Sequence, residues 1–387
     1  MSDPATLNHA ARVLATVRPE LPADAALRRY LAGARHLGPR ERRSISGGVF
    51  AYFRWIRWLD PKASRQKQVE EALAMGEKFE RDPRSVKPEA LAALAAPPWL
   101  REEMELPVEF LRQLQREPVL WLRARPGTAA RLAAELGDCA TTPLAPDALR
   151  YNGTRDLFLT PQFQAGAFEI QDLASQLVGH IAAPDPGQAW WDACAGEGGK
   201  TLHLADLLQN RGVVWATDRS ARRLEVLKRR TARARLFNYR TAPWDFEGER
   251  NRPARLPFKT RFDGVLVDAP CSGVGTWRRN PHARWTTSRE DARELSAIQA
   301  SLLRTAAGAV GPGGILVYAV CTLTRSETTE AASAFSESHP EFEPEVRVLP
   351  GTPLARAAEI KGASVLIWPQ SIDANGMFVA AWRRKKT

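Results

Sequence analysis

From residue 189 onward the sequence repeats a strand, a loop and a helix, and this alternation constrains the fold more than any other feature of the chain. The apolar runs typical of buried strands are 189–193, 213–217, 264–267 and 314–320. The helical segments that separate them are 201–208, 221–234 and 289–310. Strands that alternate with helices predict an α/β fold with a doubly wound, largely parallel, Rossmann-like sheet. The apolar run 377–382 predicts one further strand at the edge of this sheet.

Two regions of different character precede the α/β segment. Residues 1–95 carry alanine, leucine and other apolar groups at helical spacing, which predicts an all-α domain. Residues 96–175 begin with a Pro-Pro break and then combine a strand-like run at 119–123 with a helical run at 128–136. They predict a linker and a small α+β module. The α/β domain is expected to span 176–387.

Composition excludes several classes of protein. The 387 residues are 44% hydrophobic and 26% charged, as in an ordinary globular chain of several domains. No run approaches the ~18 apolar residues of a membrane span, and residues 1–10 lack the pattern of a secretory signal. The cysteines form no CxxC pair and no disulfide framework; they are Cys139, Cys194, Cys271 and Cys321. We therefore expect a cytoplasmic protein without a membrane partner.

The charge balance points to a polyanionic partner. Lysine and arginine number 55 against 44 acidic residues, a formal net charge of +11. Such an excess favours binding to nucleic acid through the release of counterions. The alternative is a basic protein from an arginine-rich proteome, and charge alone does not decide between them.

The first chemical motif is the segment DACAGEGGKT at 192–201, which follows a predicted strand and begins a helix. A phosphate-binding P-loop would need glycine where Cys194 stands, and the dinucleotide pattern begun at Gly196 would need glycine in place of Thr201. Glycines here allow a ligand to approach the backbone and the N-terminus of the helix. The loop is either a plain strand-to-helix turn or a site for a nucleoside-amino acid such as S-adenosylmethionine.

A carboxylate strengthens the cofactor interpretation. Asp218 ends the predicted strand 213–217, and it lies 26 positions after Asp192. In doubly wound folds a carboxylate at this place accepts hydrogen bonds from ribose hydroxyls. Taken alone, Asp218 could equally cap the helix that follows.

Two thiols are predicted to meet at one edge of the sheet. Strand 264–267 runs into Asp268 and Cys271, and strand 314–320 runs into Cys321. Because ligands of such sheets bind at the carboxyl ends of the strands, these groups should share one crevice. A single buried cysteine is usually a small apolar residue, and a metal site is the main rival. His203 and His282 have no ligand-like spacing with the thiols, so we expect no metal.

Three segments together resemble a known family. DACAGEGGKT (192–201), DAPCSGVGTWRRNP (268–281) and VYAVCT (317–322) are similar to the motifs of the RsmB-type (Sun/Nop) RNA cytosine-5-methyltransferases. The likeness runs over about 118–382, and GAFEIQDLAS at 166–175 resembles the family segment before the cofactor loop. The N-terminal region is more loosely similar to the NusB-like RNA-binding domain of bacterial members. The resemblance implies a Rossmann-like methyltransferase domain that uses S-adenosylmethionine.

The resemblance also implies roles for individual residues. Cys321 would attack C6 of cytosine, Cys271 would release the product, and Asp268 would hold the edge of the base. Lys200 would reach the base or a phosphate, although a solvated lysine is the alternative. Cofactor contacts are implied for Cys194, Ala195, Gly196, Glu197, Gly198, Gly199, Lys200, Asp218, Arg223, Asp245 and Asp268.

Two departures from the family pattern concern the same site. The family loop usually reads Cys-Ala-Ala-Pro-Gly-Gly-Lys, whereas Gly196 and Glu197 replace its second alanine and its proline here. The extra glycine loosens the turn, and Glu197 adds a negative charge near the carboxylate of the cofactor. The family's Tyr-x-Thr-Cys-Ser reads Tyr-Ala-Val-Cys-Thr at 318–322, which removes one hydroxyl beside Cys321.

Several cationic segments are candidates for RNA binding. Arg278 and Arg279 follow the catalytic motif and are predicted to contact phosphates. Nine cations lie between 219 and 240, and Arg40, Arg42 and Arg43 add to the helical region. A solvated helix face is the alternative for the run at 219–240. The expected partner is ribosomal RNA, bound by a monomer.

Other functions remain open on the sequence. A tRNA methyltransferase would share the same motifs. A DNA cytosine-5-methyltransferase would attack with the Pro-Cys thiol, Cys271, and would not need Cys321. A non-catalytic RNA-binding or ribosome-assembly factor could keep the fold, and the altered cofactor loop leaves room for it.

Overall fold

The alanine- and leucine-rich N-terminal segment is helical, as its apolar spacing predicts. The structure is a computed structural model, and it describes residues 3–246 and 256–386. The helices of this segment are α1 Pro4–Leu14, α2 Ala23–Gly33, α3 Pro39–Trp55, α4 Arg65–Arg81, α5 Pro88–Leu94, α6 Leu100–Glu103 and α7 Val108–Gln115. Side chains from α1, α3 and α4 fill its core, among them Val13, Ile45, Trp55, Val69 and Phe79.

A four-stranded antiparallel sheet follows. Its strands are β1 Leu120–Ala124, β2 Cys139–Thr141, β3 Ala148–Tyr151 and β4 Phe168–Ile170, in the order β2-β3-β1-β4. Helices α8 Ala129–Leu136 and α9 Pro161–Gln164 complete this small α+β module. The predicted strand at 119–123 and the predicted helix at 128–136 match β1 and α8 within one residue.

The remaining strands form one mixed nine-stranded sheet, which confirms the α/β prediction. They are β5 Ala189–Asp192, β6 Val213–Asp218, β7 Tyr239–Pro243, β8 Phe262–Asp268, β9 Val310–Val320, β10 Phe342–Pro344, β11 Glu359–Lys361, β12 Ser364–Ile367 and β13 Met377–Arg384. The order is β11-β12-β13-β9-β8-β5-β6-β7, with β10 also paired to β13. Strands β9, β8, β5, β6 and β7 run parallel, and β13 joins β9 antiparallel.

Two details of the sheet differ from the prediction. The run 377–382 was expected at the edge, but β13 lies between β9 and β12. Its residues are buried on both faces of the sheet, which is typical of an interior strand. Strands β7, β10, β11 and β12 were not predicted. Strand β7 is polar, partly exposed and lies at the edge, and the other three are only three or four residues long.

Helices cover both faces of this sheet, as a doubly wound fold requires. They are α10 Leu173–Ala182, α11 Gly199–Leu207, α12 Ala221–Arg233, α14 Arg289–Ala307, α15 Thr329–Ser338, α16 Pro353–Ala357 and α17 Pro369–Ile372. The short helix α13 Ala283–Thr286 groups instead with the N-terminal helices. No helix among the described residues combines the length and the apolar character needed to cross a membrane.

Contacts divide the chain into two compact units. One comprises the chain up to Pro118 together with Gly273–Asp291, and the other comprises Val119–Ser272 and the chain from Ala292 onward. Within the first unit, Arg284 donates to the carbonyls of Arg54 (2.9 Å) and Ala95 (3.0 Å), which ties the segment after the Pro-Cys motif to the helical core. This division is coarser than the three segments predicted from composition, whose boundaries stay predictions.

Asp192 connects the end of β5 to α11 beneath the glycine-rich loop. Its carboxylate is fully buried, and Oδ2 accepts a 2.6 Å hydrogen bond from the Thr201 hydroxyl. Oδ1 has no hydrogen-bond partner among the described residues. Burial raises the pKa of Asp192 to about 7, with smaller contributions from the charges of Asp268 and Asp218.

We predict that Asp192 makes stability depend on pH. Its pKa is higher in the folded protein than in the unfolded chain, where it is about 4. The folded state therefore retains a proton that the unfolded state loses, and the free energy of unfolding should fall as the pH rises through this interval to about 7. Asp192→Asn should flatten this dependence and gain roughly 1.4 kcal/mol or more at pH 8 in denaturant unfolding.

Asp185→Asn is the matched control for this substitution. Asp185 is exposed, so its amide variant should follow the wild-type pH profile. An Asp192→Asn profile parallel to wild type would contradict the assigned cause.

A second prediction concerns Gly264 in β8. A Cβ atom at this position would lie 2.2–2.4 Å from ring atoms of Trp190 on the neighbouring strand β5. Gly264→Ala should therefore lower the free energy of unfolding by about 1–3 kcal/mol. The double variant with Trp190→Phe should recover part of this loss, because the smaller ring relieves the collision. If Gly264→Ala had the same free energy of unfolding as wild type, the predicted collision with the Trp190 ring would be refuted.

Candidate active site

The glycine-rich loop presents its backbone at the carboxyl end of β5. The loop bends back on itself through Gly198 N–H, which donates to the Ala195 carbonyl at 2.8 Å. Ala195 N–H donates to the Thr217 carbonyl at 2.8 Å and fixes the loop to β6. Helix α11 begins at Gly199, so its free N–H groups lie at the loop.

A cavity of about 510 Å³ lies at this edge of the sheet. Most of the predicted cofactor residues line it: Cys194, Ala195, Gly196, Glu197, Gly199, Lys200, Asp218, Arg223 and Asp268. Sequence reasoning did not identify the other lining residues, which are Ser175, Ala193, Arg219, Trp244, Phe246, Ala269, Pro270, Leu295 and Ile298. Its size is that of a small-molecule site.

Two predicted cofactor residues do not line the cavity. Gly198 has a φ of +88°, and a Cβ there would lie 2.6 Å from Leu227 of α12, so this glycine serves the packing of the loop. Asp245 is exposed and is not among the lining residues. Its aromatic neighbours Trp244 and Phe246 line the cavity instead. The segment was therefore identified, but its contributing side chains were not.

The structure separates the two interpretations of Asp218. The N-cap of α12 is Ser220, whose hydroxyl accepts from Arg223 N–H at 3.4 Å. Asp218 instead accepts from Gly196 N–H at 3.0 Å and from Ser220 N–H at 2.8 Å. Its carboxylate thus holds the glycine-rich loop and lines the cavity.

Lys200 and Asp268 form an ion pair within the cavity lining. The ammonium Nζ lies 2.7 Å from Asp268 Oδ2, and only 9% of the lysine side chain is exposed. Burial lowers the pKa of Lys200, but the charge and hydrogen bond of Asp268, with a contribution from Cys321, raise it overall. Lys200 is therefore a cation at neutral pH, which argues against a solvated surface lysine.

The two predicted thiols meet at the ends of neighbouring strands. Strands β8 and β9 pair in parallel with Asp268 opposite Ala319, so the loops that follow leave at one edge. The Sγ atoms of Cys271 and Cys321 lie 3.3 Å apart, and both residues are half-buried. Cys139, by contrast, lies on β2 of the small module. Among residues 3–246 and 256–386, no group of three or more His, Cys, Asp or Glu side chains is arranged to hold a metal ion.

A buried carboxylate, which the sequence did not indicate, lies between the two thiol loops. Glu327 is completely buried in a short 3-10 turn, Arg325–Glu327, that follows Cys321. It accepts hydrogen bonds from Ser272, the neighbour of Cys271, and from Thr324. The hydroxyls of Ser272 and Thr322 are 2.8 Å apart.

The cations predicted to bind RNA differ in their surroundings. Arg278 is 6% exposed and donates to the Glu117 carbonyl within the helical unit, which argues against a phosphate contact. Arg279 is exposed, and its RNA contact stays a prediction. Arg42 donates to the carbonyls of Leu31, Ala34 and Leu37 at 2.8–2.9 Å, so it closes the turn between α2 and α3.

The run at 219–240 is only partly available to a partner. Arg230 and Arg233 bind the buried carboxylate of Glu169 at 2.9 and 2.5 Å. Lys228 pairs with Glu225 on the same helix. The exposed cations of the run are Arg219, Arg222, Arg223, Arg229, Arg235 and Arg240, besides Lys228 itself.

Curated relatives resemble this chain over part of their own length. The probable ribosomal RNA small subunit methyltransferase B of Bacillus subtilis (strain 168) is 34% identical over 263 residues, which cover 66% of this chain and 56% of that protein. The corresponding protein of Synechocystis sp. is 31% identical, over 80% of this chain and 68% of its own. Ribosomal RNA small subunit methyltransferase F of Escherichia coli O7:K1 is 35% identical, over 58% and 46%. The chain spans about half to two thirds of these relatives.

Solved structures share the fold at low sequence identity. The crystal structure of PH0851 covers 99% of both chains, with a TM-score of 0.78 and 21% identity. The structure of NSun6 from Pyrococcus horikoshii with SFG covers 72% of this chain and 94% of its own, with a TM-score of 0.61 and 18% identity.

The family itself is identified by sequence. The profile described as 16S rRNA methyltransferase RsmB/F matches residues 180–383, more than half of the chain. The match includes the glycine-rich loop and both thiol loops, and it confirms the resemblance seen in the motifs. The chain belongs to the 16S rRNA methyltransferase RsmB/F family.

Proposed function

We propose that this chain is an S-adenosylmethionine-dependent RNA cytosine-5-methyltransferase that acts on ribosomal RNA. The observation that carries the proposal is the pair of thiols, Cys271 and Cys321, whose Sγ atoms lie 3.3 Å apart at the ends of adjacent parallel strands. Asp268, three residues before Cys271, lines the cavity of about 510 Å³. A methyl donor bound in that cavity would therefore lie close to a base held at the thiols.

The cavity has the chemical groups that S-adenosylmethionine needs. Trp244 and Phe246 provide an aromatic wall for a nucleobase, and Asp218 provides acceptors for ribose hydroxyls. The start of α11 and the cationic side chains of Arg219 and Arg223 suit a carboxylate. When bound, the cofactor supplies the methyl group.

Cys321 is the nucleophile in this proposal. C5 of cytosine is a poor nucleophile, and addition of a thiolate to C6 converts the ring to an enamine. The π electrons of the C5–C6 bond then become available to C5, and Asp268 would hold the edge of the base during this step. The ammonium of Lys200 attracts a Cys321 thiolate, as the contribution of Cys321 to the raised pKa of Lys200 indicates.

Cys271 completes the reaction. After methylation, C5 carries a proton that must leave before the bond between Cys321 Sγ and C6 can break. A Cys271 thiolate near C5 would accept this proton, and the C–H electron pair would restore the C5–C6 double bond as Cys321 departs. The close approach of the two Sγ atoms lets both thiols reach adjacent carbons of one ring.

The RNA contacts belong to the proposal as well. Arg279 and the exposed arginines of 219–240 would neutralise phosphates, in keeping with the net charge of +11. The target cytosine must be unstacked so that a thiol can reach its face. Cytoplasmic location and a monomeric state stay predictions.

The first functional prediction separates the roles of the thiols. Cys321→Ala should abolish both methyl transfer and any covalent link, because no other group adds to C6. Cys271→Ala should still attack and methylate, but it cannot release the base. It should therefore accumulate a protein–RNA adduct that survives denaturing electrophoresis and forms only with S-adenosylmethionine and substrate RNA.

Cys139→Ala is the control, because this thiol lies in the small module. The DNA-type mechanism predicts the opposite result, a stable adduct in Cys321→Ala and none in Cys271→Ala. Full activity of both variants would refute the covalent mechanism.

The second functional prediction concerns the cofactor loop. Gly199 lines the cavity, and a Cβ atom there meets no protein atom within 4 Å, so a side chain would occupy cofactor space without strain. Gly199→Val should weaken S-adenosylmethionine binding at least about tenfold in calorimetric titration. Gly33→Val, which also meets open space in the helical unit, is the control. Absence of binding in the wild-type protein would favour a non-catalytic RNA-binding factor.

A further inference from the structure

The buried carboxylate of Glu327 is saturated with hydrogen-bond donors. Oε1 accepts from the Ser272 backbone N–H at 2.8 Å and from the Gln299 amide at 3.0 Å. Oε2 accepts from the Thr324 hydroxyl at 2.7 Å, from the Thr322 hydroxyl at 3.3 Å and from the Ser272 hydroxyl. Five hydrogen bonds therefore reach the two oxygens of this side chain. A polar group with no exposure to solvent is stabilised only by such hydrogen bonds.

The hydroxyl protons give the network a direction. Each hydroxyl has one proton, and Ser272 and Thr324 give theirs to Glu327. The Thr322 hydroxyl lies 2.8 Å from the Ser272 hydroxyl and 3.3 Å from Glu327 Oε2, so its proton is directed toward these two acceptors. Ser272 follows Cys271 and Thr322 follows Cys321 in the sequence. The carboxylate thus connects the immediate neighbours of both thiols.

Gln299 of α14 is bonded to the same network. Its amide also donates to the Pro270 carbonyl at 2.9 Å, and its Oε1 accepts from the Tyr318 hydroxyl at 2.9 Å. The Tyr318 hydroxyl lies 2.7 Å from the Glu327 carbonyl. Pro270 precedes Cys271, so the thiol loop is held on both sides of its cysteine.

We infer that Glu327 is a positioning residue that sets the separation and orientation of Cys271 and Cys321. Its catalytic consequence rests on the proposed function, but the positioning itself does not. Backbone pairing aligns the two loops as far as Ala269 and Ala319. Beyond that point Glu327 accepts hydrogen bonds from both loops, from Ser272 on one side and from Thr322 and Thr324 on the other. The Ser272 and Thr322 hydroxyls, both bonded to Glu327, also lie 2.8 Å from each other.

Glu327→Gln is the informative substitution. A glutamine keeps the volume but replaces one acceptor oxygen by an NH₂ group. At the Oε1 position this group would face two N–H donors, the Ser272 backbone and the Gln299 amide, and would lose both bonds. At the Oε2 position it would have to donate to the hydroxyls that now donate to the carboxylate, so the network must rearrange in either orientation. The exposed Glu330, three residues later, provides Glu330→Gln as the matched control.

The separation of the thiols is measured directly with dibromobimane, which becomes fluorescent when two neighbouring thiols displace both bromines. The full-length wild-type protein and Glu330→Gln should bridge Cys271 to Cys321 rapidly. Glu327→Gln should bridge at least about tenfold more slowly, because the second alkylation depends on the effective concentration of the partner thiol. Cys321→Ala should give no bridged product and thereby assigns the signal.

Further measurements separate positioning from a loss of folding. Glu327→Gln should keep the wild-type affinity for S-adenosylmethionine, while single-turnover methyl transfer falls at least about tenfold at unchanged KM for RNA. If this variant does not fold, Ser272→Ala decides, because it loses the hydroxyl link and keeps the backbone bond to Glu327. It should bridge more slowly than wild type.

The outcomes distinguish the two proposals. Wild-type bridging rates in Glu327→Gln, or in Ser272→Ala if the former does not fold, would overturn the positioning role. Absence of methyl transfer in the wild-type protein, together with slow bridging in Glu327→Gln, would refute the proposed function and leave the positioning role intact.

Discussion

The parallel pairing of β8 with β9 is the interaction on which the candidate site depends. It places Asp268 opposite Ala319, and the Ala269 N–H continues the ladder with a 3.0 Å bond to the Ala319 carbonyl. The two chains then turn away at the same level, which brings Cys271 and Cys321 together. A shift of register by one residue would turn every side chain of a strand to the other face of the sheet. The chemistry proposed here therefore follows from a backbone alignment.

Three carboxylates near this edge are stabilised in different ways. Glu327 is surrounded by donors, and Asp268 is paired with Lys200. Asp192 has one hydroxyl donor and a pKa raised to about 7, since burial disfavours its charge. The number of partners of each carboxylate corresponds to its position in the site. The saturated acid joins the thiol loops, the paired acid faces the cavity, and the incompletely bonded acid lies beneath the cofactor loop.

Arginine serves two purposes in this chain. Arg42 and Arg284 donate to backbone carbonyls where a turn or a buried segment needs partners, and Arg278 does the same. A guanidinium group suits this task because its donors are planar and fixed. The exposed arginines, such as Arg279, are the ones left to meet phosphates. The net charge of +11 thus overstates the surface available to RNA.

The sequence by itself determined the α/β fold and the meeting of the two thiols, because apolar periodicity identifies parallel strands and their carboxyl ends share one edge. It also identified half of the residues that line the cavity. Only the tertiary structure decided that β13 is interior, that Gly198 packs on α12 and that Arg278 is buried. The hydrogen bond between Glu327 and Ser272 was likewise visible only in the tertiary structure. These features depend on which distant residues fill a shared space, and local periodicity carries no information about that.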